Sequence, residues 1–121
     1  MPRYAALIYS EEATSPPSEE ELGQVVAEYT EFGEASRTAG VNLGGEALHD
    51  TNTATTVRVE GGKGGEIITT DGPFAETKEA LGGFYLLQAS DLDDAIKWAS
   101  QIPGAWAGRV EVRPIWEFDE G

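Results

Sequence analysis

A chain of 121 residues that is 40% hydrophobic, with three Trp, four Tyr and four Phe, can fold as one domain around a single core and is too apolar to be disordered. Its 22 acids against 8 bases leave a formal charge of −14, and the Lys and Arg are scattered singly, so nucleic acid and anionic membrane surfaces are excluded as natural partners. The absence of Cys excludes disulfides and thiolate metal sites, and no apolar run approaches the roughly 20 residues of a membrane helix.

Met1-Pro2-Arg3-Tyr4 leads straight into an apolar run without a signal-peptide pattern, which points to a cytoplasmic protein. Arg3–Tyr9 is short and aromatic-rich, the pattern of a strand covered on both faces. Pro16-Pro17-Ser18 then predicts a helix start, with Ser18 as cap, Glu21 three residues on, and an acidic first turn. Leu22, Val25, Val26, Tyr29, Phe32 and Ser36 recur at helical spacing, so this helix is expected to lay one face on a sheet until Gly40 stops it. From Glu11 to Glu34 the only charged residues are Glu. That run reads as a solvated helix face.

Val41–Leu48 is an irregular strand candidate, interrupted by Gly44-Gly45. Ala54–Glu60 alternates Val57 and Val59 against Thr56 and Arg58. The glycine-rich turn Gly61–Gly65 joins it to Glu66–Thr70, which makes a hairpin. No Gly-Lys-Ser/Thr or helix start follows those glycines, so a turn fits better than a phosphate loop. Gly83–Ala89 lacks alternation and reads as a central strand. Ser90 or Asp91 caps a second helix whose Leu92, Ala95, Ile96, Ala99 and Ile102 face inward, with Pro103-Gly104 as its end. Arg109–Trp116 is a last strand carrying Val110, Val112 and Trp116 on one side, and Pro114 assigns it to an edge or a bulge.

This order of elements predicts an α+β fold, ferredoxin-like, with an antiparallel sheet and two helices on one face. Two strands apolar on both sides need cover that two helices cannot supply. A homodimer that pairs the two sheets is the simplest way to provide it.

The candidate chemistry sits in and around Thr70–Glu79. Asp71-Gly72-Pro73 begins directly after a strand, where an Asp carboxylate can accept N–H groups two residues on, so an Asx turn accounts for Asp71 structurally. The functional reading joins Asp71 to Glu76, Thr77 and Lys78 as a site. A Lys beside two carboxylates can pair with them, hold an anion, or serve as a base of shifted pKa. His49 is the only histidine, so any imidazole-dependent scheme must use it, although its polar surroundings suit an exposed loop. One His with dispersed carboxylates is a poor metal set, and neither a metal nor a cofactor is expected. Asp91, Asp93 and Asp94 come nearest to a Mg²⁺ cluster, and they read as a helix cap. Tyr29 belongs to the inner face of the first helix, where its hydroxyl could line a pocket. Arg58 could add a positive wall.

Asp71-Gly72-Pro73-Phe74-Ala75-Glu76-Thr77-Lys78-Glu79 followed by Leu81-Gly82-Gly83-Phe84-Tyr85 resembles the signature of the DGPF-type branch of the YCII-related family. Tyr4–Tyr9, Gly44–Leu48, Ala54–Arg58 and Val110–Glu117 resemble it as well, so the likeness spans nearly the whole chain as one domain, 1–121. The resemblance implies a dimeric α+β-barrel, ferredoxin-like fold. It also implies kinship with small-molecule isomerases and lyases whose relatives carry a His-Asp pair proposed to be catalytic. Here the matching helix position is Tyr29 in place of His, and Asp71 matches the loop acid. Members of the branch often resemble companions of extracytoplasmic-function sigma factors, which suggests a regulatory context.

Two readings stand side by side at this point. One is a cofactor-independent isomerase- or lyase-like enzyme that transfers protons. Asp71 or His49 would be its acid or base, Lys78, Arg58 and Glu76 would hold the substrate, and Tyr29 would donate a hydrogen bond. The other is a non-catalytic homodimer that binds a small molecule or a protein partner such as a sigma factor.

Overall fold

The computed structural model describes residues 1–75 and 77–118. Alternation along Arg3–Ser10 (β1) buries Tyr4, Ala6 and Ile8 on one side and leaves Ala5, Leu7 and Tyr9 half-buried on the other. The capping box at Ser18 is formed: its Oγ accepts from the Glu21 N–H at 3.1 Å, while Glu21 Oε1 accepts from the Ser18 N–H at 3.3 Å. The helix Glu19–Thr38 (α1) follows, with Glu19, Glu20 and Glu21 at the positive end of its dipole. Gly40 leaves it at φ 74°, a left-handed turn that favours glycine.

Asn42–Ala47 (β2), Thr55–Glu60 (β3), Glu66–Asp71 (β4) and Ala80–Gln88 (β5) come next. They are followed by the helices Leu92–Ala99 (α2) and Gly104–Ala107 (α3), and by the strand Arg109–Pro114 (β6). β2, β5, β1 and β6 form an antiparallel sheet in that order. Leu87 stands opposite Tyr4 and Asn42, and Ala6 stands between Tyr85 and Val112, so one face of all four strands is fixed by register. Pro114 closes an edge strand, where its missing N–H disturbs no ladder.

The helices cover that face. Ala6, Ile8, Phe32, Val41, Leu87, Ala99 and Ile102 pack as one cluster, and Tyr4, Ala89 and Ala95 form a second that shares Val112 with it. Ser36 is the buried polar residue of the core. Its hydroxyl donates to the Phe32 carbonyl at 2.7 Å and accepts from Asn42 Nδ2 at 3.1 Å, while Asn42 Oδ1 takes the Gly44 N–H at 2.9 Å. This chain of bonds pins α1 to β2 without leaving a buried polar atom unpaired.

Five expectations change. The inner face of α1 is only partly inner: Phe32 and Ser36 are buried and Tyr29 half-buried, but Leu22, Val25 and Val26 are exposed because the first half of the helix extends past the sheet. The second helix ends at Ala99 and buries Ala95 and Ala99, while Leu92 and Ile96, expected to face inward, are exposed. Pro103 caps a separate short helix, so three helices stand among the described residues instead of two. Ile102 is nevertheless fully buried in the link between them. Trp116 lies beyond the last strand, 79% exposed, and stacks on Phe118 at 4.9 Å instead of joining Val110 and Val112. Finally, β3 and β4 pair only with each other, in a hairpin apart from the main sheet.

Candidate functional site

A cavity of about 380 Å³ opens on the helix-covered face, between α1 and the ends of β1, β2 and β5. Ile8, Tyr29, Tyr85, Gly45, Ala47 and Gly83 line it together with Ser10, Glu46, Gly82 and Phe84. Register explains the gathering. Tyr85 is paired with Ala6 and Gly45, and Gly83 with Ile8 and Ala47, so these positions share one face. Glycines on two neighbouring strands strip side chains from that face and expose main chain as the wall. There is no room to spare at Gly45, where a Cβ would overlap the Phe84 carbonyl oxygen and come within 2.8 Å of Tyr85 Cδ1.

The two tyrosines supply the polar chemistry. Tyr85 is held edge-on by Phe32, with centroids 5.0 Å apart and planes at 65°. Burial pushes the Tyr29 phenol above its ordinary value of 10.0, and the Gly104 backbone N–H, which favours the phenolate, partly offsets this. Burial also raises Tyr85, as does the charge Tyr29 would carry, while Arg37 works in the opposite direction. Both groups are therefore neutral O–H donors at ordinary pH.

Raised phenol pKa values carry a sign. The unfolded tyrosines lose their protons first as pH climbs past 10.0, so the native state binds more protons and stability falls from there toward the raised native values. Below that point the contribution is fully present. The denaturation midpoint, followed upward from neutral pH, is expected to start falling near pH 10 and to fall less steeply in Tyr29→Phe. An identical alkaline limb in the variant would show that Tyr29 does not titrate differently in the folded state.

A second cavity, of about 760 Å³, lies at the same end of the sheet but on its opposite face. Tyr9, Leu81 and the segment Pro73–Ala75 line it with Glu11, Glu12, Thr51 and Lys78. Glu12 accepts from both the N–H and the hydroxyl of Thr51, which holds its carboxyl below the usual range. Lys78 Nζ is 3.4 Å from Glu11 with a side chain 87% exposed, a weak surface pair.

The anticipated residues are thus divided. Tyr29 lines the first cavity and Lys78 the second, while His49, Arg58 and Asp71 line neither. His49 is exposed in the loop after β2. Arg58 lies on the hairpin, 3.7 Å from Glu60 and exposed. Asp71 ends β4 opposite Thr55, and Glu76 lies outside the described residues. The Asx turn expected at Asp71 gives way to another device. Among the described residues no N–H donates to its carboxylate; the Gly72 N–H donates to the Ala54 carbonyl and the Thr56 hydroxyl to the Gly72 carbonyl, both at 2.8 Å. Asp71 is therefore left exposed and unused by the turn.

Ile8, Gly45, Gly83 and Tyr85 were not singled out by their chemistry, since each reads as core or strand. The available signal was the pair of Gly-Gly steps, Gly44-Gly45 and Gly82-Gly83, on two segments that turn out to be neighbours. Glycine inside a strand marks a close approach of backbone or ligand. Among the described residues, no group of three or more His, Asp or Glu gathers to hold a metal ion, and no helix is long and apolar enough to cross a membrane.

Comparison with known proteins agrees in scope. The family model of the YCII-related domain matches residues 2–119. An uncharacterized protein of Rhizobium meliloti (strain 1021) is 40% identical over 128 residues, an overlap that covers 98% of this chain and 95% of the relative.

Proposed function

Since the chain belongs to the YCII-related domain family, we propose that it is a single-domain, cytoplasmic, ferredoxin-like member of the DGPF-type branch that works as a homodimeric small-molecule-binding module without a cofactor. The observation that carries this reading is the Tyr29–Tyr85 cavity. Its volume of about 380 Å³ falls within the range of ordinary ligand sites, roughly 300–1,000 Å³. Its lining combines main chain, aliphatic groups and two neutral phenols with Ser10, Glu46 and Phe84. Such a lining suits an uncharged, largely apolar molecule that carries a carbonyl or ether oxygen to accept from the phenols.

The ferredoxin-like part of the reading draws on the strand order β2-β5-β1-β6 with α1 between β1 and β2 and α2 between β5 and β6. The dimer draws on the uncovered sheet face, where Ala5, Leu7, Phe84 and Leu86 form an apolar centre. A proton-transfer enzyme is the second reading, favoured by phenols kept protonated and so able to act as acids. It needs Asp71 or His49 as the base, with Lys78, Arg58 and Glu76 on the substrate. Asp71, His49, Lys78 and Arg58 lie outside the Tyr29 cavity and would have to reach it from a second protomer. Docking of a sigma factor on the acidic helix is the regulatory variant, and its readout is co-purification lost when Glu19, Glu20 and Glu21 become Lys.

A thermal-shift screen of small neutral carbonyl compounds, followed by mass analysis of each hit, separates the main readings. Binding to the wild type that weakens up to about tenfold in Tyr29→Phe, with the compound recovered unchanged, is the expected result; one lost hydrogen bond has that size. Recovery of a converted compound would establish the enzyme instead. Hits that bind Tyr29→Phe and Tyr85→Phe as well as the wild type would remove the cavity from consideration.

A further inference from the structure

Of the five arginines, Arg3, Arg58, Arg109 and Arg113 each stand 2.6–3.7 Å from a carboxylate. Arg37 pairs with none among the described residues. Its place in α1 is specific. Tyr29, Gly33 and Arg37 follow at i, i+4 and i+8, so they form a single row along the helix. The Arg37 side chain folds back along this row toward the helix N-terminus, as helical side chains do. A Cβ added at Gly33, itself buried, would come within 2.9 Å of Arg37 Nη2 and 3.0 Å of Nη1. The guanidinium therefore occupies the gap that the glycine leaves, one turn from Tyr29.

That row borders the cavity, since Tyr29 lines it. Tyr85 lines it too, and Arg37 acts there as well: burial and then the charge of Tyr29 raise the Tyr85 phenol, and Arg37 pulls it back. A cation in the last turn of α1 suits the negative end of the helix dipole. That accounts for the charge at position 37 but leaves its planar fork without a carboxylate. Glu46 does not supply one from the cavity wall. It is paired with Phe84, and alternation turns both side chains away from the face that carries Gly45 and Tyr85.

We propose that Arg37 is an anion-binding residue of the Tyr29–Tyr85 site, and that the ligand is an oxo acid whose ketone accepts from the phenols while its carboxylate pairs with the Arg37 fork. A guanidinium matches a carboxylate through two parallel N–H bonds, which an ammonium cannot do. The proposal rests on the cavity reading and extends it. The lining selects an uncharged body, and Arg37, just outside that lining, selects a charged end. One helical turn, about 5 Å, separates the two rows of donors, so a short spacer joins ketone to acid.

Benzoylpropionate and its methyl ester make a matched pair, the same ketone with and without the charge. In calorimetric titration the acid is expected to bind the wild type about ten- to a hundredfold more tightly than the ester, the size of a charge-assisted hydrogen-bonded pair. Arg37→Gln should bring the acid down to the affinity of the ester. Gly33→Ala should do the same with the guanidinium still present, because the new methyl displaces the tip of a flexible side chain. A helix interior favours Ala over Gly, so this variant keeps its thermal midpoint and shows that the fold is retained. An acid that binds no better than the ester, or a preference that survives both substitutions, would overturn the role of Arg37 and leave the cavity reading standing. Binding of neither compound would overturn both.

Discussion

Leu87→Ala is expected to lower the free energy of unfolding by about 2–5 kcal/mol, the range for truncating a fully buried Leu. Leu87 has no exposed surface and lies in β5, one of the two inner strands, between Asn42 and Tyr4. Its side chain is held in a cluster with Phe32 from α1 and Ile102 from the link after α2. Little flexible structure surrounds it that could collapse into the space. Denaturant unfolding should show a lower midpoint with an unchanged slope, since the surface exposed on unfolding stays the same. A loss below about 1 kcal/mol would mean that this contact is not the centre of the fold.

Gly45→Ala should produce the next largest effect, about 1–3 kcal/mol of destabilisation together with loss of ligand binding in the cavity. The added methyl would overlap the Phe84 carbonyl oxygen and press on Tyr85 Cδ1 at 2.8 Å. A carbonyl in a strand ladder cannot swing away as a side-chain tip can, so β2 must separate from β5. Gly23→Ala makes a clean comparison, because nothing lies within 4 Å of its added Cβ and a helix interior favours Ala over Gly. Thermal unfolding of the two variants should move in opposite directions. A Gly45→Ala protein as stable as the wild type would show that the β2–β5 spacing yields easily.

Much of the architecture can be read from local chemistry. The capping box at Ser18, the Asp91 cap, the glycine-rich hairpin turn and Pro114 at an edge all act over a few residues, and sequence displays such effects directly. What it did not display depends on distance. Helical periodicity identifies the apolar side of α1, but the point where that side runs out of sheet is set by strand lengths elsewhere, and so Leu22 to Val26 emerge uncovered. Likewise the alternation in β3 and β4 identifies a hairpin without saying whether a third strand will join it. The candidate residues fared according to the same division. Tyr29 was visible because it shares a stripe with core residues. Tyr85 was hidden because an aromatic in a central strand looks like packing until the glycines opposite it are seen. Asp71, Arg58 and Lys78 were chosen for reactivity, which says nothing of where the backbone carries them.

Because Gly45 and Gly83 give one wall of the Tyr29–Tyr85 cavity no side chains, that wall has little to vary at those two positions. Any substitution at Gly45 meets backbone, and one at Gly83 brings a Cβ within 2.9 Å of the Glu46 carbonyl oxygen. On the proposed binding reading, a change of ligand preference would come through the other lining positions, among them 8, 10, 29, 47, 82 and 85. The cavity is in effect a mould with one fixed patch, and a directed-evolution library for the proposed ligand would leave positions 45 and 83 untouched.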